Sequence, residues 1–132
     1  MMFGNRIFYN TDFSDPRSDD RIRVPAAMAN VVSSETEQGT HLPILDLDFP
    51  AVLLPSSTEG HFHLYLQREV EWSKYEKVLD AMKDAGLLQK GYVEHSKSRK
   101  GTFLRLPWVK KKSGDSSSAL RPVVLTLEEP LF

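Results

Sequence analysis

Four side chains of metal- and phosphate-binding type lie close together in this sequence: Asp46, Asp48, His61 and His63. Asp46 and Asp48 are two apart, so on a strand they share a face at about 6.5–7 Å along the chain. Two carboxylates at that spacing can hold a hard divalent cation, with phosphate completing its shell. His61 and His63 repeat the geometry. Two imidazoles on one face can bind a transition metal, contact phosphate, or act as acid and base near neutral pH. Between the pairs, Ser56 to Gly60 offers hydroxyls and backbone N–H groups suited to an anion. Downstream, Lys97, Arg99, Lys100, Arg105, Lys110, Lys111 and Lys112 come with no acidic residue, and Phe103 and Trp108 interleave. That is the footprint of a surface for nucleic acid or another polyanion. Each group also fits a blander role, as the solvated face of a sheet or a charged hairpin, with Asp12, Asp15, Asp19 and Asp20 available to pair with the basic run.

The elements that would carry these residues can be read from periodicity. Ile44 to Phe49 alternates between Leu45, Leu47, Phe49 and Ile44, Asp46, Asp48, which predicts a strand. His61 to Gln67 alternates more strongly. Phe62, Leu64 and Leu66 form its expected core face, and His61, His63, Tyr65 and Gln67 the other. Residues 73–85 form the expected main helix, with Ser73 and Glu76 as a capping box, a stripe of Tyr75, Val78, Leu79 and Met82, and Gly86 as the stop. The stripe is expected to pack on the Phe62/Leu64/Leu66 face. Gly91 to His95 and Thr102 to Leu106 read as two strands of a hairpin. The order β-β-α-β-β predicts an α+β fold with one small, mainly antiparallel sheet and one main helix, flanked by extended N- and C-terminal arms.

The divisions expected are an N-terminal strand (residues 6–11) and irregular arm over 1–41, a core over 42–112, and a linker and tail over 113–132. A short helix is expected near Ala26–Val32, and Val123 to Leu127 reads as a last strand or a tail that docks on another chain. The arms, 12–41 and 113–132, carry too little periodic apolar sequence to fold securely alone. Ordering them costs roughly 1–2 kcal/mol per residue in backbone entropy, which a protein partner or second subunit would offset. The 132 residues fit one domain, and a net charge of −1 selects no partner by itself. The absence of cysteine excludes disulfides, thiolate metal sites and a cysteine nucleophile. The N-terminus is too polar for a signal peptide, and no apolar run suggests a membrane partner.

Leu45–Asp48, Pro55–Tyr65 and Gly91–Lys111 together resemble a family of small actinobacteriophage proteins, in which these runs recur in this order. That resemblance implies a phage gene, acting in the cytoplasm of the infected host cell, or in the virion if the protein is structural. More remotely, Asp46-x-Asp48 and the Ser56-Ser57…His63 run resemble the catalytic core of archaeo-eukaryotic-type primase-polymerases. The resemblance implies Mg or Mn at Asp46 and Asp48 and phosphate at Ser56, Ser57, His61 and His63. The gap between the motifs is shorter than in that family and no third acidic motif follows. The expectation is therefore an accessory protein binding nucleotide or nucleic acid through a primase-like, degenerate site, with Lys97, Arg99, Lys100, Arg105, Lys110 and Lys111 along the backbone. His61-Phe62-His63 is also similar to the metal site of rolling-circle nickases, which would make Tyr75 a nucleophile. The alternative is a structural or interaction protein working through its arms, with no catalytic site.

Overall fold

The computed structural model describes residues 2–12, 20–109 and 125–126. The chain divides into two compact units, Met1–Asp46 and Leu47–Phe132. Both are built on small antiparallel sheets, and the second adds two helices, so the fold is α+β.

In the first unit, β1 (Arg6–Asn10) lies between β2 (Ile22–Arg23) and β3 (Val31–Thr36), antiparallel to both. A 3-10 turn at Ala26–Met28 connects β2 to β3. The segment read as an irregular arm thus supplies two of three strands here. Val31-Val32-Ser33-Ser34-Glu35-Thr36 carries no apolar alternation. Its pairing is set instead by β1 and by a polar turn, in which Thr36 and Thr40 share a side-chain hydrogen bond (2.7 Å) and Gly39 takes φ +78°. Among the described residues of this unit, Ile7 is the buried apolar side chain and Thr36 the buried polar one.

In the second unit, β4 (Ala51–Pro55) is the central strand, between β5 (Phe62–Leu66) and β6 (Leu125–Thr126). The run Ala-Val-Leu-Leu has no apolar–polar alternation; Ala51 is buried and the residues after it are half-buried. The expected strand at Ile44–Phe49 does not form. Pro43 and Pro50 each lack a backbone donor, and the ladder begins only at Ala51, opposite Leu66. Of the expected last strand, Leu125–Thr126 pairs antiparallel with β4 of its own chain; Val123, Val124 and Leu127 lie outside the described residues.

Helix α1 (Trp72–Asp84) falls within a residue of its expected span at each end. Its start differs: Glu71 is the cap residue and makes no side-chain cap bond, so Ser73 and Glu76 lie inside the helix and form no capping box. Its end is as read. Gly86 takes φ +81°, its N–H donates to Lys83 O (3.0 Å), and Leu87 N–H reaches Met82 O (2.8 Å). Residues 90–99, expected in part as a strand, form helix α2 (Lys90–Arg99). Buried Val93 and Ser96 and half-buried Tyr92 and Lys97 lie at helical spacing, and basic Lys97 and Arg99 occupy the last turn. Lys97 bridges to Asp80 of α1, 3.2 Å to each carboxylate oxygen. Leu79 and Val93, 2% and 0% exposed, join Ala51 as the buried apolar side chains among the described residues of this unit.

The faces of β5 are the reverse of expectation. Phe62, Leu64 and Leu66 are 62%, 51% and 47% exposed, while His63 and Tyr65 are half-buried. Alternation reveals that a strand has two faces; which face is covered depends on what packs there. Here the half-buried side is the polar-aromatic one, with His63 Nδ1 itself buried.

Candidate functional site

The loop between β4 and β5 is held by its own backbone. Ser56 N–H donates to His61 O (2.9 Å), His61 N–H to Thr58 O (3.1 Å), and Thr58 N–H to the Ser56 hydroxyl (2.9 Å). Gly60, at φ +79°, permits the reversal. The loop therefore presents Ser56, Ser57 and Thr58 in a fixed arrangement at the end of the hairpin. Two residues into β5, His63 points to the covered face.

The stretch after α2 completes the site. Residues 102–106 run without regular structure, and Arg105 Nη2 donates to Ser57 Oγ at 2.7 Å, joining residues 48 apart in sequence. Ser56, Ser57, Thr58, His63, Leu104, Arg105, Leu106 and Pro107 line a cleft of about 220 Å³. That is smaller than the roughly 300–1,000 Å³ of sites that enclose a whole small-molecule ligand. It has room for one compact group.

The chemistry of the lining selects an anion. Arg105 brings a permanent positive charge and a guanidinium with five N–H donors, of which one is directed to Ser57. Three neighbouring residues carry hydroxyls, and among the described residues no carboxylate lines the cleft. His63 Nδ1 is buried without a hydrogen-bond partner among the described residues. An unsatisfied buried nitrogen is costly, on the order of 1–3 kcal/mol, and a ligand atom would relieve it. Burial also lowers the His63 pKa, so in the free protein the ring favours its neutral form.

The other expected site residues lie elsewhere. Asp48 is exposed and pairs with Arg68 at 3.2 Å, and Arg68 also stacks over Phe49. Asp46 is exposed at the end of the first unit, outside any strand. The shared strand face that was to hold a cation at Asp46 and Asp48 is thus absent, and no cluster of three or more His, Asp or Glu occurs among the described residues. His61 is exposed and contributes backbone groups that close the loop. Lys97 is engaged with Asp80. Arg99 stands over the Phe103 ring at 6.0 Å. Lys100 follows α2 in the left-handed conformation, φ 54°. Lys110 and Lys111 lie outside the described residues.

A second polar cluster was not expected. Thr102 Oγ1 shares hydrogen bonds with Tyr75 Oη (2.6 Å) and Ser96 Oγ (3.0 Å). Tyr92 joins it: burial raises the Tyr92 pKa, and Tyr75 adds to the effect. Tyr75 is thereby occupied as a structural tie between α1 and the segment that carries Arg105. The signal available in the sequence was Gly101, which ends α2 through a bond to Ser96 O (3.1 Å) and sends the chain toward the cleft. No family model, curated protein or solved structure matches this chain.

Proposed function

We propose that this protein is a phage-encoded accessory protein that binds nucleic acid by a backbone phosphate, seated against Ser56, Ser57, His63 and Arg105. The observation that carries the reading is the meeting of a loop, a strand and a distant basic segment at one carboxylate-free cleft, with Arg105 already directed onto Ser57. The cleft accepts a phosphoryl group and leaves the base and sugar outside. Just beyond it on the same stretch of chain, Phe103 and Trp108 are each 69% exposed, with Arg99 over Phe103. Exposed aromatic rings beside a cationic phosphate site suit unstacked bases of a single strand, where each stack contributes about 1–3 kcal/mol. The resemblance to primase-polymerase phosphate motifs agrees with this assignment at Ser56, Ser57 and His63. The reading is one of binding, and its contacts come from protein groups.

Fluorescence anisotropy with a labelled single-stranded oligonucleotide, titrated at rising salt with and without Mg²⁺, tests it. Binding is expected at low salt and weakens as salt rises, because neutralised phosphates release counterions. Arg105→Ala is expected to weaken binding about tenfold or more, since a hydrogen bond to a charged group contributes about 1.5–3 kcal/mol. Arg105→Lys recovers the charge but not the fork, and restores only part. An absence of binding at low salt, in either metal condition, defeats the proposal.

A further inference from the structure

We infer that β5 is the dimerisation edge of this protein, pairing antiparallel with β5 of a second copy about a two-fold axis through Leu64. Among the described residues, the sheet order β5-β4-β6 leaves β5 with a neighbour on one side only. The opposite edge of β4 is occupied by β6 of the same chain.

The backbone of β5 is divided in a way that suits a second strand. Ser56 N–H donates to His61 O, and Gln67 N–H to Pro50 O, so these two pairs are hydrogen-bonded pairs at the ends of the ladder. Between them the antiparallel pattern repeats every second residue, through Leu54 with His63 and Val52 with Tyr65. Residues 61, 63, 65 and 67 therefore turn their backbone groups toward β4. Phe62, Leu64 and Leu66 turn theirs outward, and among the described residues none of these three has a backbone partner. The same three residues expose their large apolar side chains. An exposed edge with both properties invites another strand, and the devices that usually prevent this, a proline or an inward charge, are missing from β5.

A copy of β5 fits as the second strand, because its side-chain order is self-complementary. Phe62-His63-Leu64-Tyr65-Leu66 reads alike in type from either end: apolar, polar ring, apolar, polar ring, apolar. A two-fold axis at Leu64 sets Leu64 across from Leu64 of the second copy, and Phe62 across from its Leu66. Every outward backbone group of β5 then meets one on the other strand, as an isologous interface requires. On the covered face, His63 falls across from Tyr65 of the second copy. The pairing thus runs the cleft face of one sheet into that of the next, and it stands whether or not the cleft binds phosphate.

Sedimentation equilibrium of the full chain tests the inference. The expected mass is twice 15.0 kDa at micromolar concentration. Leu64→Lys places two like charges opposite each other across the axis and is expected to give a monomer with unchanged circular dichroism. Phe62→Lys alone weakens the dimer. Adding Leu66→Glu restores it, because each lysine then faces a glutamate of the other copy. That rescue requires this register, and it cannot arise within one strand, where the two positions stand four residues apart. A monomeric wild type, a dimer that survives Leu64→Lys, or a failure of the double variant to recover overturns the inference. A Leu64→Lys chain that has lost its circular dichroism also counts against it, since an exposed edge residue must tolerate the change.

Discussion

The two units use polar residues in opposite ways. In the first, charged and hydroxyl groups are consumed internally. Arg6 donates to the carbonyls of Phe3, Leu42 and Pro43, Arg21 and Arg23 pair with Glu35 and Glu37, and Glu35 accepts from Tyr9 and Ser33. A bond from Ser33 lowers the Glu35 carboxyl below its usual range; burial opposes it, and the charge of Arg21 and a bond from Tyr9 add to the lowering. A groove of about 430 Å³ does open beside Arg6 and Arg23, yet Glu37 lines it and neutralises part of its charge. In the second unit the balance is reversed. Its smaller cleft has a cation, hydroxyls, an unsatisfied imidazole nitrogen and no carboxylate. Size alone would rank the grooves the other way. The group left without a partner among the described residues, more than the volume of space around it, is what sets the smaller cleft apart.

The contrast extends to what holds each unit together, and the largest expected effect tests that. Leu79 is 2% exposed in a unit with little other buried apolar surface. Leu79→Ala is expected to cost about 2–5 kcal/mol in urea denaturation, from lost burial and the cavity left behind. Arg23→Ala removes a solvent-exposed pair in the first unit and is expected to leave the midpoint nearly unchanged, because water and salt already screen such pairs. Equal losses from the two substitutions would mean that exposed ion pairs carry the first unit after all.

A smaller effect separates stability from binding within the second unit. Lys100 occupies the left-handed position that ends α2, where its N–H reaches Lys97 O (3.3 Å) and Gly101 closes back on Ser96. A side chain there strains the backbone, and glycine is the usual occupant. Lys100→Gly is expected to raise stability by about 0.5–1 kcal/mol and, by removing a cation near Phe103 and Arg105, to weaken oligonucleotide binding severalfold. Unchanged affinity would show that Lys100 lies outside the path of the strand. A loss of stability would show that its side chain makes up for the strain.

How much of this was legible in the sequence depended on the range of the forces involved. Helix α1 and strand β5 were readable because their signals are local: Tyr75, Leu79 and Met82 at helical spacing, and five alternating residues from Phe62 to Leu66. The burial of β5 was not, because it depends on where α2 and the segment after it come to lie. The hairpin expected from Gly91–His95 and Thr102–Leu106 does not form, because the first run is drawn into α2, where Val93 and Ser96 are buried. In the site, Ser56, Ser57, His63 and Arg105 were legible by residue type, and the bond between Ser57 and Arg105 then joined two stretches that the sequence lists apart. The strand expected at Ile44–Phe49, which was to set Asp46 and Asp48 on one face, was misread because it lies between two prolines that interrupt pairing.

The smallest expected effect bears most directly on the unsatisfied nitrogen. Desolvation holds the His63 pKa below its usual value, so in the free protein the neutral ring is favoured. The unfolded chain takes up a proton as pH falls through about 6.5, and the folded chain resists. The stability this group contributes is therefore present above that pH and lost as pH falls toward the folded value. A bound phosphodiester reverses the preference, because an anion beside the ring stabilises its charged form. Binding then takes up a proton, and affinity rises as pH falls over the range in which the fold itself weakens. The expected gain from pH 8 to 6 is about threefold, or roughly 0.6 kcal/mol by the tenfold-per-1.4 kcal/mol relation. An oligonucleotide without terminal phosphates avoids titration of the ligand. In His63→Gln both slopes should vanish together, the acid loss of stability and the acid gain of affinity. An affinity slope that persists in His63→Gln would assign the proton to another group and remove His63 from the phosphate site.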